Sequence, residues 1–442
     1  MEICKKTIIR GILSILAIGS VLMLIPSIRE RVVWRFDQLR IYLRYTLFPP
    51  EEALFIPKET PFRPPTLVPS QTPVTLEPTQ TKPTLTVTSL VQETGLPSFT
   101  PMPTATPLPS RVLLEGVKYE DQHGLWNYCA PANLAMALSY WGWEGDRLKT
   151  GAYLKPEELD KNVMPYEMVD YVLTQTDLGA IVRSGGTIDL LKKLIGNRYP
   201  VLIEKGVINR ETLSGRMTWM GHYALLIGYD DAEKIFISRD SYFSPPDYPL
   251  DFPIPYDEII NQWRGFNYIF IVIYPVGKQN EVIKILGDYA DEEYAYRAAL
   301  ARADEEILTQ NGLNKFFALF NRGTSLARLF DYGAAAEAYD LAFELYADLP
   351  KEERPYRMMW YQTGPYFAYY YTSRFQDVID LASTTISAAD KPYLEESWYW
   401  RGVAKLALGD TNGGIEDLRT SLKYHPGFEP SLEKLKQLGV TN

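Results

Sequence analysis

The stretch Asn127-Tyr128-Cys129-Ala130-Pro131-Ala132-Asn133-Leu134-Ala135-Met136-Ala137-Leu138-Ser139-Tyr140-Trp141-Gly142 decides the reading of the folded part of the chain. Leu134, Leu138 and Trp141 recur at helical spacing, with Pro131 near the start and Gly142 at the end, so the spacing predicts a helix. Cys129 stands just ahead of it. Unsatisfied N–H groups and the positive dipole end at a helix start stabilise a thiolate. A free thiol with a pKa near 8.5 is only a few per cent ionised at pH 7. Lowering that value by two or three units, roughly 3–4 kcal/mol, keeps a nucleophile ionised. The plain alternative for a lone cysteine is a buried structural residue.

Downstream, apolar runs bounded by turn residues read as strands: PVLIEKG (200–206), GHYALLIGYDD (221–231), KIFISRD (234–240) and FNYIFIVIYP (266–275). A helix first and a sheet after it is an α+β plan. His222 is the only histidine inside a strand-like run. If the second and third runs form a hairpin about Asp230–Glu233, paired residues have indices summing to about 461–464. The pair His222 and Asp240 falls in that range, so a carboxylate is expected beside the imidazole across the strands. Singly, His222 would be a satisfied core histidine and Asp240 a turn residue. A cysteine at a helix start, then His and Asp on later adjacent strands, is the order used by papain-like thiol enzymes.

Taken together, NYCAPANLAMALSYWG, PVLIEKG, WMGHYALLIGYDD, SRDSYF and WRGFNY resemble the C39-like cysteine peptidase family of papain-like fold, over about 165 residues with the motifs in order. The resemblance implies Cys129 as nucleophile, His222 as general base and later acid, and Asp240 as the residue that orients the imidazole. It also implies an oxyanion hole from the Cys129 N–H and a glutamine ahead of it, here Gln122. Two features depart from the family. Ala130 stands where Gly is usual, and Gln122 lies seven residues before Cys129 rather than five or six. No metal or cofactor is implied. Trp263 and Asn267 match family positions and read as packing and support near the site.

Working outward, the segment from Gly11 to Ile28 carries no charge, and Ile8 and Ile9 extend it. About 20 residues at 1.5 Å each span a hydrocarbon core of ~30 Å, so one membrane helix over about residues 8–28 fits; a cleaved signal peptide is the alternative. Basic residues flank it on both sides (Lys5, Lys6 and Arg10; Arg29, Arg31 and Arg35), so charge does not settle orientation. Close to half of residues 57–110 are Pro or Thr, which keeps the backbone extended and coreless. Thr/Pro stalks of this kind are commonly wall-spanning or glycosylated spacers, which favours an extracytoplasmic location; an internal linker is the alternative.

From about residue 288 the chain reads as helix. Gly323, Gly364 and Gly402 each follow a large apolar residue (Leu319, Trp360, Trp398) by four. Stripes Ala335/Tyr339/Ala342, Val378/Ala382/Thr385 and Gly414/Leu418/Ser421 come after them. This resembles a degenerate tetratricopeptide repeat in three copies, the second two residues longer between glycine and stripe, with YAYRAALARADEEI as a preceding capping helix; a generic helical bundle is the alternative. Tyr366, Tyr369, Tyr370 and Tyr371 read as packing between repeats, or as a peptide groove.

The whole chain has 442 residues, net charge −10, 3 His and 2 Cys. No global basic field is present to hold nucleic acid, a four-ligand structural zinc site is nearly excluded, and Cys4 and Cys129 lie on opposite sides of the apolar run. His123 and His425 read as surface residues, the acidic group Asp230, Asp231 and Glu233 as a hairpin turn, and Ser184–Gly186 as a turn without phosphate-loop spacing. The domain expectation is an anchor and juxtamembrane segment at 1–48, a stalk at 49–110, a papain-like peptidase at 111–277 and a helical repeat domain at 288–442. The expected function is a membrane-anchored extracytoplasmic cysteine peptidase acting on peptide or protein substrates, with the repeats binding a protein partner. The alternatives are a catalytically silent peptide-binding scaffold and an acyltransferase using the same three residues.

Overall fold

In the computed structural model, residues 26–58, 107–210 and 217–440 are described. Nearly all of the expected anchor at 8–28 and most of the stalk lie outside them. Among the described residues no helix is long and apolar enough to cross a membrane.

The boundary expected at 48/49 is revised. Helix α1 (Pro26–Leu47) and the segment that follows it to residue 58 pack on the C-terminal helices. Ile41 and Tyr45, one helical turn apart, are buried, while Arg40 reaches Asp390 at 2.7 Å and Arg44 donates to the Ser387 carbonyl at 2.7 Å. Phe55 is buried edge-on to Phe343 at 5.0 Å, and the Lys58 N–H donates to Asp377 at 3.0 Å. Arg40 and Arg44, which follow the apolar run, thus find acceptors on the protein.

The sheet domain begins where Ser110 accepts a hydrogen bond from the Asp231 N–H at 2.9 Å. In chain order it contains β1 (Arg111–Leu113), α2 (Cys129–Ser139), α3 (Arg147–Leu154), α4 (Pro165–Gln175), β2 (Leu178–Arg183), α5 (Ile188–Gly196), β3 (Val201–Arg210), β4 (Met217–Asp230), β5 (Ile235–Arg239), β6 (Phe252–Pro255), α6 (Tyr256–Trp263) and β7 (Phe270–Pro275). The sheet is antiparallel in the order β2-β7-β3-β4-β5-β6, with β1 paired to the end of β4. Val201–Ile203, Ala224–Ile227 and Phe270–Ile273 are all buried, which is why these strands read as continuous apolar runs rather than alternating ones. Helix α2 packs on β3 and β4 with every residue from Ala130 to Ser139 buried, so it has no polar face to show in its sequence.

The hairpin forms at the upper edge of the expected register: Leu225 pairs with Arg239, and beyond an irregularity between Leu226 and Gly228 the pairing shifts by one, with Tyr229 opposite Phe236, so His222 and Asp240 are not ladder partners. The strand partner of His222 is Lys205 on β3. Asp240 lies one residue past the end of β5 and approaches His222 from the loop rather than from the ladder.

The C-terminal region is helical: α7 (Gln279–Leu286), α8 (Glu292–Thr309), α9 (Gly312–Arg328), α10 (Tyr332–Asp348), α11 (Met358–Tyr361), α12 (Gly364–Tyr371), α13 (Phe375–Ala388), α14 (Glu395–Ala407), α15 (Thr411–Tyr424) and α16 (Glu429–Gln437). Three hairpins, α9/α10, α12/α13 and α14/α15, share one turn. A residue with positive φ (Phe330, Ser373 or Gly409) comes first, then the N-cap position Asp331, Arg374 or Asp410. In the first and third hairpins the glycine gives close approach, since a Cβ on Gly323 would stand 2.7 Å from the Tyr339 ring and one on Gly402 3.0 Å from the Gly414 carbonyl. The second hairpin departs. Gly364 is only the first residue of α12 and lies against the Tyr339 hydroxyl of the preceding hairpin. Tyr366 occupies the equivalent place instead, fully buried, with its hydroxyl 3.0 Å from Ser397 Oγ. The two extra residues are absorbed where α11 breaks from α12.

The sheet domain and the helices share a core. Trp219 and Phe266 belong to the buried cluster of Phe317, Phe320 and Tyr339. Arg357 donates to Thr218 Oγ1 at 2.5 Å and the Trp219 carbonyl at 3.2 Å, and Gln362 donates to the Gly265 carbonyl at 2.5 Å.

Candidate active site

Cys129 is the first residue of α2, and no side chain caps that helix. Its free N–H groups are therefore available to a ligand or to the thiol. The loop leading into it turns through positive φ at Gly124 and Asn127. The second half is pinned from the loop after α3: Lys155 Nζ donates to the Trp126 carbonyl, and Asn127 Nδ2 donates to the Asp160 carbonyl at 3.2 Å.

His222 sits within β4, and its Nε2 is 2.6 Å from Asp240 Oδ1. The Cys129 side chain and the imidazole also act on one another, by hydrogen bonding and by charge. Sulfur, imidazole and carboxylate thus stand in series. His222 is 7% exposed and Asp240 1%, so these charges act on one another with little solvent screening. Burial pushes the Cys129 thiol up, but the hydrogen bond and charge of His222, then the Tyr223 N–H and the Lys155 charge, hold it below its ordinary value. Burial pulls His222 down, yet the charge and hydrogen bond of Asp240, and then those of Cys129, raise it to about 9. Burial pushes Asp240 up, but His222 and Lys205 bring it down to about 2. All three directions favour a thiolate–imidazolium pair backed by a carboxylate, titrating as a coupled unit.

Gln122 is tied to the same place. Its N–H donates to the Ser241 carbonyl at 3.0 Å, and its Oε1 accepts from Ser241 Oγ at 2.7 Å, which leaves the amide NH2 as its donating end. Ser241 Oγ lies 2.8 Å from Asn133 Nδ2, which also stands 2.9 Å from the Cys129 and Tyr223 carbonyls. One buried amide therefore links the thiol's helix, the imidazole's strand and the loop bearing both Asp240 and the Gln122 contact. Ala130, the departure after the cysteine, is buried in the core.

Several participants have signals that sequence reading passed over. Glu204 and Lys205 are two adjacent charges within the run of buried residues that opens β3, and both are 3% exposed. Lys205 Nζ is 3.6 Å from Asp240 Oδ2, which has no hydrogen bond. Burial, then the Cys129 charge, pushes Glu204 well above the carboxylate range, against a hydrogen bond from Tyr223. Asn133 is the one amide in an apolar helix. Burial lowers Lys155 to about 8 despite the opposing charges of Asp160 and Cys129.

Other expectations are revised or located. Asn267 donates to Ser325 Oγ at 3.1 Å, at the junction with α9. Trp263 is fully buried, its Nε1 donating to the Ile269 carbonyl. His425 is not a surface residue: it is half-buried, 3.0 Å from Glu395. The reason is that the end of α15 meets the loop before α4. His123 is exposed beside Asp121. Asp230 caps its own hairpin turn by accepting from the Ala232 N–H at 3.0 Å. Tyr366 and Tyr369 are buried, whereas Tyr371 is exposed and stacked on Tyr332.

No curated protein matches the chain. Among solved structures it is similar to xylellain, a cysteine protease from Xylella fastidiosa (18% identity, 38% of this chain and 87% of that chain, TM-score 0.31). It is also similar to a putative C39-like peptidase from Bacillus anthracis (19%, 37% and 96%, TM-score 0.29). A third is a double glycine motif protease from an AMS/PCAT transporter, in complex with the leader peptide (15%, 38% and 99%, TM-score 0.26). Residues 114–268 match the Peptidase_C39 like family, so the chain carries a C39-like peptidase domain followed by a helical region.

Proposed function

We propose that the sheet domain, about residues 111–277, is a cysteine peptidase. The observation that carries this reading is the series of half-buried Cys129 and buried His222 and Asp240, with the imidazole 2.6 Å from the carboxylate and beside the thiol at a helix start. Cys129 Sγ attacks a peptide carbonyl carbon, and the carbonyl π pair moves onto oxygen. The oxyanion takes hydrogen bonds from the Cys129 N–H and the Gln122 NH2. The His222 imidazolium protonates the leaving amine, and the neutral ring then takes a proton from the water that cleaves the thioester. Asp240 holds the ring and balances its charge through the cycle.

The rest of the reading rests on sequence. The uncharged run at 11–28 supports a single membrane span, and the Thr/Pro tract supports an outward-facing domain. The shared hairpin turn and the glycine contacts in two of three hairpins support degenerate tetratricopeptide-like repeats that bind a protein partner.

The test is alkylation followed by substrate profiling with the full chain. Iodoacetamide is expected to modify Cys129 well below pH 8 and faster than a model thiol, and His222→Ala to slow it. A peptide library is expected to be cleaved by the unsubstituted protein and not by Cys129→Ala. Ordinary thiol reactivity without His222 dependence would mark a silent binding module instead. Transfer of the acyl group to an added amine in place of water would mark an acyltransferase.

A further inference from the structure

A second cluster of chemistry-bearing side chains lies away from Cys129, where the helical region meets the loop between α3 and α4. Asp160 comes from that loop, Glu395 is the first residue of α14, and His425 follows the last residue of α15. One ligand atom from each lies within 4.8 Å of the other two. The side chains are 3%, 4% and 14% exposed. His425 Nδ1 stands 3.0 Å from Glu395 Oε1 and 3.9 Å from Asp160 Oδ2.

Two observations separate this cluster from an ordinary ion pair. First, Asp160 Oδ1 accepts from the Asn162 N–H at 3.3 Å, but Oδ2 accepts no hydrogen bond among the described residues. It faces His425 across a gap too long for one. A carboxylate whose side chain is 3% exposed is costly to keep charged unless something nearby supplies positive charge. Second, further carboxylates crowd the cluster: Glu167 and Glu396 add their fields to those of Asp160 and Glu395, opposed by Lys155 and His425. Lys155 Nζ spends its hydrogen bonds on the Trp126 and Glu158 carbonyls rather than on Asp160.

We propose that Asp160, Glu395 and His425 bind a divalent transition-metal ion of the zinc class, which clamps the helical region to the loop that supports Cys129. One imidazole and two carboxylates form an N/O set that suits zinc and is not the all-oxygen set of calcium or magnesium. Ligand atoms about 2.0–2.2 Å from a tetrahedral ion stand roughly 3.3–3.6 Å apart. The observed 3.0 and 3.9 Å bracket that spacing, so small side-chain shifts complete the triangle. The neighbouring Asp160 carbonyl holds Asn127, and Lys155 holds Trp126, so the clamp bears on the segment leading into Cys129.

The test uses the full chain with Cys4→Ser and Cys129→Ser, so that no thiol competes for metal. After EDTA treatment, the protein is titrated with Zn2+ against a chromophoric chelator. One equivalent is expected to bind, with the affinity reduced on the order of tenfold or more in both Asp160→Asn and His425→Gln. X-ray absorption is expected to show a nitrogen/oxygen shell with one imidazole and no sulfur. Zn2+ is expected to raise the melting midpoint of this chain but not that of the Asp160→Asn form, a readout that does not depend on peptidase activity. Absence of a zinc equivalent, or binding undiminished in both variants, overturns the proposal and leaves His425–Glu395 as a plain ion pair.

Discussion

Asp240→Asn separates the charge of the carboxylate from its shape. Asparagine retains an oxygen that accepts from His222 Nε2, so ring orientation survives while the negative charge goes. Raising the imidazole from 6.5 to about 9 corresponds to roughly 3 kcal/mol in favour of its protonated form, and this is what remains after burial has opposed it. Without the carboxylate, burial and the Lys205 charge, 3.6 Å from Asp240 Oδ2, both act against the imidazolium. His222 should then titrate well below 9, held up by Cys129 alone, and the thiol loses much of the cation that holds it down. At pH 7 only a few per cent of a thiol with an ordinary value is ionised. Alkylation of Cys129 at pH 6–7 should therefore slow by on the order of 10–100-fold, while the rates of the two proteins converge near pH 10. Leaving Lys205 buried without its partner also costs stability, about 3–5 kcal/mol. Adding Lys205→Met should recover much of the melting temperature without restoring reactivity at neutral pH. Iodoacetamide kinetics from pH 5 to 10, beside thermal melts, measure both effects. An unchanged alkylation profile in Asp240→Asn would refute the ion-pair argument.

Gln122→Ala should lower peptide cleavage by about 10²–10³ while leaving the alkylation rate of Cys129 in place, because it removes an oxyanion donor and no partner of the thiol; equal losses in both assays would point to a structural role. Asn133→Ala breaks contacts to Cys129, Tyr223 and Ser241 at once in a fully buried position, and should cost about 2–4 kcal/mol by denaturant titration. A Cβ at Gly221 would meet Phe266 Cζ at 2.7 Å and Tyr361 Cε1 at 3.0 Å, so Gly221→Ala should destabilise by about 1–3 kcal/mol and reduce cleavage through the adjacent His222; a melt identical to that of the unsubstituted protein would show that those rings yield freely. The raised value of His222 contributes stability that is complete below pH 6.5 and is lost as pH rises through about 9. The lowered value of Asp240 contributes stability present above pH 3.8 and lost as pH falls through about 2. The melting difference between the unsubstituted protein and Asp240→Asn should thus be widest from about pH 4 to 6.5, and a difference that does not vary with pH would contradict the assignment.

The local signals of the site were legible because each was an anomaly in its own segment: a thiol at a helix start, a histidine inside an apolar strand, an aspartate at a strand's end. The register that joined the last two was not legible. The irregularity between Leu226 and Gly228 changes the pairing, and Asp240 leaves the ladder altogether, so proximity came by a different route from the one the strand count implied. Lys205 was hidden for another reason. Its place beside Asp240 depends on β3 lying next to β4, and no single strand encodes its neighbour. The second helical hairpin misled because a glycine at the usual distance from a tryptophan belongs to a break between α11 and α12, while a tyrosine fills the glycine's place. His425 looked like a surface residue beside a proline. Only the packing of α15 against the Asp160 loop buries it.

The same reasoning changes what the helical region is for the site. Trp219, three residues before His222, stacks on Phe266 at 5.5 Å and packs against Phe317 at 5.5 Å and Tyr361 at 5.9 Å. Two of these four rings belong to the C-terminal helices, as does Arg357, which holds Thr218 and the Trp219 carbonyl. The part of β4 that leads into the imidazole is therefore packed by the helices as much as by its own sheet. An isolated sheet domain would present Trp219 and Phe266 to water as an apolar patch. A recognition module that hangs from an enzyme by a linker leaves its catalytic strand alone. Here the helices complete the wall behind that strand, so whatever binds or loosens them acts on the position of His222 through direct packing.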